Sequence, residues 1–217
     1  DAGEGDNMVA GEAQAVSDGT ASASGINTAP DGVEAGNDDI TTGGGADVIS
    51  GGAQAKGGSS ATATQTNSGA GGGDAGNDTI EAGEGDNMVA GEAQAISDGP
   101  AWATGSNTAP DGVEAGNDDI TTGDGADVIS GGAQAKGGSS ATAVQTNSGT
   151  FSGLAGNDTI DAGEGDNMVA GEAQAISDGT ATAIGTNTAP HGTSVGNDDI
   201  VTDGASLVAN LTEIASE

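Results

Sequence analysis

From Thr20 to Ala29 the chain reads TASASGINTA, and SSATATQTNS at 59–68 and TATAIGTNTA at 180–189 alternate in the same way. A period of two marks a β-strand, whose successive side chains point to opposite faces. One parity is nearly constant: Ala21, Ala61, Ala101, Ala141 and Ala181, then Ala23, Ala63, Ala103, Ala143 and Ala183, then Asn27, Asn67, Asn107, Asn147 and Asn187. The other varies, with Ser22, Thr62, Trp102, Thr142 and Thr182 at one column and Ser24, Thr64, Thr104, Val144 and Ile184 at the next. The constant parity is predicted to face inward, where alanines let two sheets approach closely. The varying parity is predicted to face water.

The columns exist because the chain repeats. DAGEGDNMVAGEAQA at 1–15 returns as EAGEGDNMVAGEAQA at 81–95 and in its first form at 161–175, so Asp1, Glu81 and Asp161 open successive copies. Inside each copy lies a weaker period of half that length. Gly-Asn-Asp-x-Ile ends at Ile40, Ile80, Ile120, Ile160 and Ile200, and Ala-Gln-Ala is centred on Gln14, Gln54, Gln94, Gln134 and Gln174. Fixed periods of this size signify a solenoid. Glycine, 43 residues of 217, disfavours helix interiors. The expected fold is therefore all-β, a thin parallel β-solenoid over 1–204 with 40-residue coils stacked ~4.8 Å apart. The Gln and Asn columns become buried amide ladders. The Ile40 column and that of Val9, Ile49, Val89, Ile129 and Val169 form an aliphatic stripe. A rival layout rolls only two short turns locally and loops out the rest of each coil as an arm. That remainder keeps its inward columns, which favours the wide coil.

Charge narrows the function. Two Lys/Arg stand against 34 Asp/Glu, a net charge of −32, so no nucleic-acid partner is expected. No apolar run reaches membrane-spanning length, and DAGEGDNMVA lacks the layout of a signal peptide. The absence of cysteine removes thiolate chemistry. Among so many acids no Ser/His/Asp set stands out, so no enzyme is expected. His191 replaces Asp31 and Asp111 and reads as a turn residue. Lys56 and Lys136 read as local counter-charges, and Trp102 as an exposed residue.

Each coil holds two consecutive nine-residue units. Asp74-Ala-Gly-Asn-Asp-Thr-Ile80 and Gly43-Gly-Gly-Ala-Asp-Val-Ile49 both approximate G-x-G-x-D-x-U-x, with U a large aliphatic residue. Glycine permits a turn at positive φ, whose carbonyls point to one side. The following Asp adds a carboxylate, and the aliphatic residue anchors the next strand. Hard oxygen ligands without His or Cys favour Ca²⁺. Stacked carboxylates without counterions repel one another, so the calcium-free chain is expected to resist folding.

These units resemble the RTX (repeats-in-toxin) nonapeptide family, whose parallel β-rolls hold Ca²⁺ between stacked turns. The resemblance covers the two nonapeptides of each coil, a little under half of it. It implies several calcium ions and, by motif position, ligands at Asp38, Asp78, Asp118, Asp158 and Asp198, with Asp47 and Asp127 in the second unit. The first row, with Gly36, Gly76, Gly116 and Gly156 and with Asn37, Asn77, Asn117, Asn157 and Asn197, is the expected calcium row. Alternate second units depart from the family: Asn7, Asn87 and Asn167 stand where it has Asp, and Asp6, Asp86 and Asp166 come one place earlier. Those sites are expected to be weaker, to use the neighbouring carboxylate or to be empty.

After Ile200 the repeat breaks. Leu207, Val208, Leu211 and Ile214 share one helical face, so 205–217 is expected to be a short helical cap or docking segment. No matching cap precedes Asp1, which predicts either a fragment of a longer array or end-to-end self-association. The resulting expectation is a calcium-stabilised structural module of an extracellular or cell-surface protein: a stalk, an adhesin segment or a fibre. The family resemblance implies type I secretion. Two alternatives remain: a calcium-dependent ice-binding solenoid, which the outward Thr/Ser columns resemble, and a non-catalytic module of a polysaccharide-active enzyme.

Overall fold

The computed structural model describes residues 2–29, 35–69, 74–109, 114–149, 154–162, 167–178, 180–188, 194–195, 199–202 and 207–209. All its strands pair in parallel, each with its counterpart one coil away, as Gln94 with Gln54 and Gln134 and Ile120 with Ile80 and Ile160. This is the parallel β-solenoid with wide coils. The stretch that a local roll would loop out as an arm is part of the coil.

Among the described residues, five sheets run along the stack. The first contains Met8–Ala10, Val48–Ser50, Met88–Ala90, Val128–Ser130, Met168–Ala170 and Leu207–Ala209. The second contains Ala13–Ser17 and its equivalents up to Ala173–Ser177, and the third the long strands from Thr20–Ala29 to Thr180–Thr188. A three-stranded sheet (Glu114–Ala115, Leu154–Ala155, Ser194–Val195) and a fifth sheet from Asp39–Thr41 to Asp199–Thr202 close the coil.

Among the described residues two main cores result, beside a small cluster of Ala75, Ala109 and Ala115. Alanines of the second sheet (Ala53, Ala55, Ala93, Ala95) pack against those of the third (Ala61, Ala63, Ala101, Ala103), as the constant parity requires. Isoleucines of the fifth sheet (Ile80, Ile120, Ile160) pack against Ile49, Val89, Ile129 and Val169 of the first. The outward parity carries exposed Ser22, Ser24, Trp102, Thr104 and Ile184.

The amide ladders form. Gln14, Gln54 and Gln94 donate from Nε2 to Oε1 of Gln54, Gln94 and Gln134 at 2.8 Å, and Gln134 to Gln174 at 2.9 Å. Asn27, Asn67, Asn107 and Asn147 each donate from Nδ2 to Oδ1 of the next asparagine at 3.1–3.2 Å.

Leu207–Ala209, assigned by spacing to a helix, are a strand, with Leu207, Val208 and Ala209 in register with Met168, Val169 and Ala170. Leu-Val-Ala repeats the Met-Val-Ala column one residue early, and ladder bonds to the preceding coil outweigh a helical spacing with little else behind it. Residues 210–217 and His191 lie outside the described residues. Among the described residues, no helix is long and apolar enough to cross a membrane.

Candidate metal centre

The Gly-Asn-Asp turns enter the fifth sheet and bring the aspartates to the seam between the two cores. Gly36, Gly76, Gly116 and Gly156 stand at φ 68°, 64°, 63° and 61°, the left-handed region that glycine tolerates best. Their bare Cα atoms are also closely approached: a Cβ on Gly76 would lie 2.3 Å from Asn107 Oδ1 and 2.5 Å from Glu92 Oε1.

Each aspartate turns its carboxylate toward the preceding coil. Asp78 Oδ1 accepts the N–H of Asp38 at 2.8 Å, Asp118 Oδ1 that of Asp78 at 2.8 Å, and Asp158 Oδ1 that of Asp118 at 2.9 Å. The neighbouring asparagines run a second ladder the opposite way, Asn37, Asn77 and Asn117 Oδ1 accepting the N–H of Asn77, Asn117 and Asn157 at 2.9–3.0 Å. The other carboxylate oxygen points inward: Oδ2 of Asp38, Asp78 and Asp118 is buried without a hydrogen-bond donor. It sits in a cradle that glycine leaves open. A Cβ on Gly51 would lie 1.9 Å from Asp78 Oδ2 and 2.2 Å from the Gly91 carbonyl oxygen; on Gly91 it would meet Asp118 Oδ2 at 2.0 Å and the Gly131 carbonyl oxygen at 2.1 Å.

Among the described residues, one acidic group converges tightly. Carboxylate oxygens of Asp78, Glu92 and Asp118, one from each residue, lie within 4.8 Å of one another, and all three residues are at most 2 % exposed. Sequence reasoning missed Glu92, one acid among 34. It comes from the turn before the second sheet and reaches across the coil, where Asn107 Nδ2 donates to Oε1 and Asn67 Nδ2 donates to Oε2 at 3.2 Å.

Burial first, then the neighbouring acids, pushes these groups up. Glu92 rises to about 8, against the hydrogen bond from Asn107 and with Asp38, Glu12 and Glu172 adding to it. Asp78 is raised by burial and by Glu92, and Asp118 by burial, Asp78 and Asp158. Asp38, half-buried, rises to about 6 through burial and Glu12. A cluster of desolvated carboxylates with orphaned oxygens calls for positive charge. Carboxylate and carbonyl oxygens are the donor set of Ca²⁺, so the residues present fit that ion.

The second row is built differently. Asp47 and Asp127 Oδ1 accept the N–H of Asn7 and Asn87 at 2.8 Å, and Asn87 and Asn167 Oδ1 accept those of Asp47 and Asp127 at 3.1 and 2.9 Å. Asn87 Nδ2 donates to the Gly83 and Gly85 carbonyls at 2.9 and 3.0 Å, and Asn7 Nδ2 to those of Gly3 and Gly5 at 2.8 and 2.6 Å. An amide thus occupies the carbonyl cup of those turns. Asp127 Oδ2 takes the Thr122 hydroxyl at 2.8 Å, while Asp47 Oδ2 is buried without a donor. Asp6 and Asp86 accept from Ala46 and Ala126 N–H at the exposed surface. Asp166, Asn197 and Asp198 lie outside the described residues.

Lys56 and Lys136 line an outer groove with Val16, Ile96, Asp18 and Asp98, away from the aspartate seam.

Residues 34–55, 73–95, 114–135 and 147–175 match the RTX calcium-binding nonapeptide repeat, in four copies. These segments carry Asp38, Asp78, Asp118 and Asp158 of the first row, Asp47 and Asp127 of the second, and Glu92, and leave out most of each long strand of the third sheet. No curated protein and no solved structure matches the chain.

Proposed function

From a chain that carries four copies of the RTX calcium-binding nonapeptide repeat, we propose a non-enzymatic structural module of a secreted or cell-surface protein, whose folding is gated by calcium. The observation that carries this reading is the inward Oδ2 of Asp78 and Asp118, buried without a donor. Bound Ca²⁺ supplies positive charge and an electrophilic centre for lone pairs that the protein leaves unused. The chain's own residues do the rest. The backbone N–H groups fix one oxygen of each carboxylate, the glycines leave room for the other, and Asn67 and Asn107 orient Glu92.

Type I export suits such a module, because a chain that needs calcium stays extended in a calcium-poor cytosol and folds outside. Stalk, adhesin segment and fibre all draw on the same property, stiffness switched on by the ion. Self-association in register would extend the Gln and Asn ladders from one copy to the next.

Limited proteolysis tests the reading. Resistance over the repeats in millimolar calcium, with rapid cleavage in chelator, is expected, and sedimentation in calcium reads whether copies join. Equal resistance in chelator would remove the gating. A second reading, ice binding, is favoured by the regular outward register of Thr62, Thr142 and Thr182 across neighbouring strands, which Trp102 interrupts. Its check is thermal hysteresis by the calcium-loaded protein.

A further inference from the structure

The nonapeptide motif recurs in every coil, but Glu92 does not. The position that it occupies in the coil is Glu12, Glu92 and Glu172 in alternate coils and Gly52 and Gly132 in the others. A facing position in the third sheet does the reverse: Gly25, Gly105 and Gly185 accompany the glutamates, Gln65 and Gln145 the glycines.

Space explains the exchange. A Cβ on Gly25 or Gly105 would lie 2.0 or 1.9 Å from Oε1 of Gln65 or Gln145 and 2.9 Å from Cβ of Glu12 or Glu92. A Cβ on Gly52 or Gly132 would lie 2.6 or 2.5 Å from Cγ of those glutamines. Each coil has room for one long side chain at this seam. It is an acid in one coil and a neutral amide in the next.

We propose that the interior calcium sites of this solenoid recur every second coil rather than with every nonapeptide, and that the glutamate of that coil completes each one, Asp78, Glu92 and Asp118 forming the site between the second and third coils. Two observations carry this inference. Oxygens of the three carboxylates lie within 4.8 Å of one another, and Oδ2 of both aspartates, each 2 % exposed, has no donor. Three buried carboxylates supply the hard, anionic oxygens that Ca²⁺ takes, and carbonyl oxygens at Gly91 and Gly131 lie beside them. Where Gln145 stands instead, the third carboxylate is gone. Successive sites would be roughly 10 Å apart, twice the strand spacing. The Gln-bearing coils then contribute an aspartate but no glutamate, which keeps the three-carboxylate clusters apart. This inference rests on the calcium reading above and specifies its ligands and its period.

Calorimetric titration of the full chain with calcium, compared with Glu92→Gln, tests it. Glu92→Gln keeps the shape of the side chain and an acceptor for Asn107, and is expected to lose one equivalent of calcium. Asp124→Asn, on an exposed turn, is expected to lose none. The paired change Gly132→Glu with Gln145→Gly, which writes the acidic coil into the fourth coil, is expected to add one equivalent. Glu92→Gln with an unchanged calcium count would overturn the inference, leaving the ions on the nonapeptide turns. An unmodified chain that binds no calcium would overturn the calcium reading itself. Should Glu92→Gln fail to fold, terbium luminescence lifetimes on the unmodified chain decide: ions largely stripped of water are expected, and fully hydrated ions alone would contradict a buried site.

Discussion

Asp78 and Asp118 are tied by one hydrogen bond and separated by one orphan. The backbone N–H of Asp78 donates to Asp118 Oδ1 at 2.8 Å, while Asp118 Oδ2 turns into the seam without a donor. The ladder bond makes the carboxylate part of the stacking. It thereby holds the second oxygen where the coil above and the coil below must share its charge.

Asp118→Asn is expected to uncouple stacking from calcium. The amide keeps the acceptor for Asp78 N–H and turns a donor toward Asp78 and Glu92. Stability in chelator should rise by ~1–3 kcal/mol, the scale of relieving an unsatisfied buried polar group, and the gain from added calcium should shrink. Strand signal in chelator, compared with that of the unmodified chain, and urea unfolding in calcium read both.

Gly91→Ala is expected to damage the fold at this seam. Its Cβ would lie 2.0 Å from Asp118 Oδ2 and 2.1 Å from the Gly131 carbonyl oxygen, one of them backbone. Overpacking of this kind costs ~1–3 kcal/mol or more. Gly3→Ala, with nothing within 4 Å, should cost far less. Melting temperatures in saturating calcium make the comparison.

Gln94→Leu breaks the glutamine ladder in its middle. Gln94 donates to Gln134 at 2.8 Å and accepts from Gln54 at 2.8 Å, so the change removes both bonds and strands a buried acceptor on Gln134. A loss of about 2–4 kcal/mol is expected in denaturant unfolding.

The pH dependence of the calcium-free chain has a definite sign. Burial on folding pushes Asp38 up from 3.8 to about 6 and Glu92 up from 4.5 to about 8. Between those values the folded chain holds protons that the unfolded chain releases. Their contribution is therefore full below about pH 4 and falls as pH rises to about 8. In calcium-free buffer, strand signal by circular dichroism is expected to be greater at pH 5 than at pH 8, and saturating calcium should flatten the difference. A calcium-free strand signal that rises with pH would contradict the burial of these acids.

Much of this was legible in the sequence because a solenoid writes its contacts as columns. Ala21 and Ala61 are neighbours because they stand one coil apart, so inward parity, amide ladders and the aspartate row follow from the repeat itself. What was not legible depends on contacts across the coil. Glu92 looks like one more solvated acid, and only its exchange with Gly52, in step with Gly105 and Gln65, marks it as buried. Asn87 looks like a weakened calcium ligand; that its amide caps the Gly83 and Gly85 carbonyls depends on the turn's shape. Leu207 satisfied a helical spacing, yet its place is set by a ladder to Met168 that skips one residue of the period.

In the proposed function, calcium completes a fold whose aspartates repel one another when stacked. Far-ultraviolet circular dichroism through a calcium titration, with magnesium as the control, decides this. A transition from coil to β signal at neutral pH, produced by calcium and not by equal magnesium, is the predicted result. A full strand signal already present in chelator at neutral pH would contradict it, because alanine packing and amide ladders would then hold the solenoid unaided.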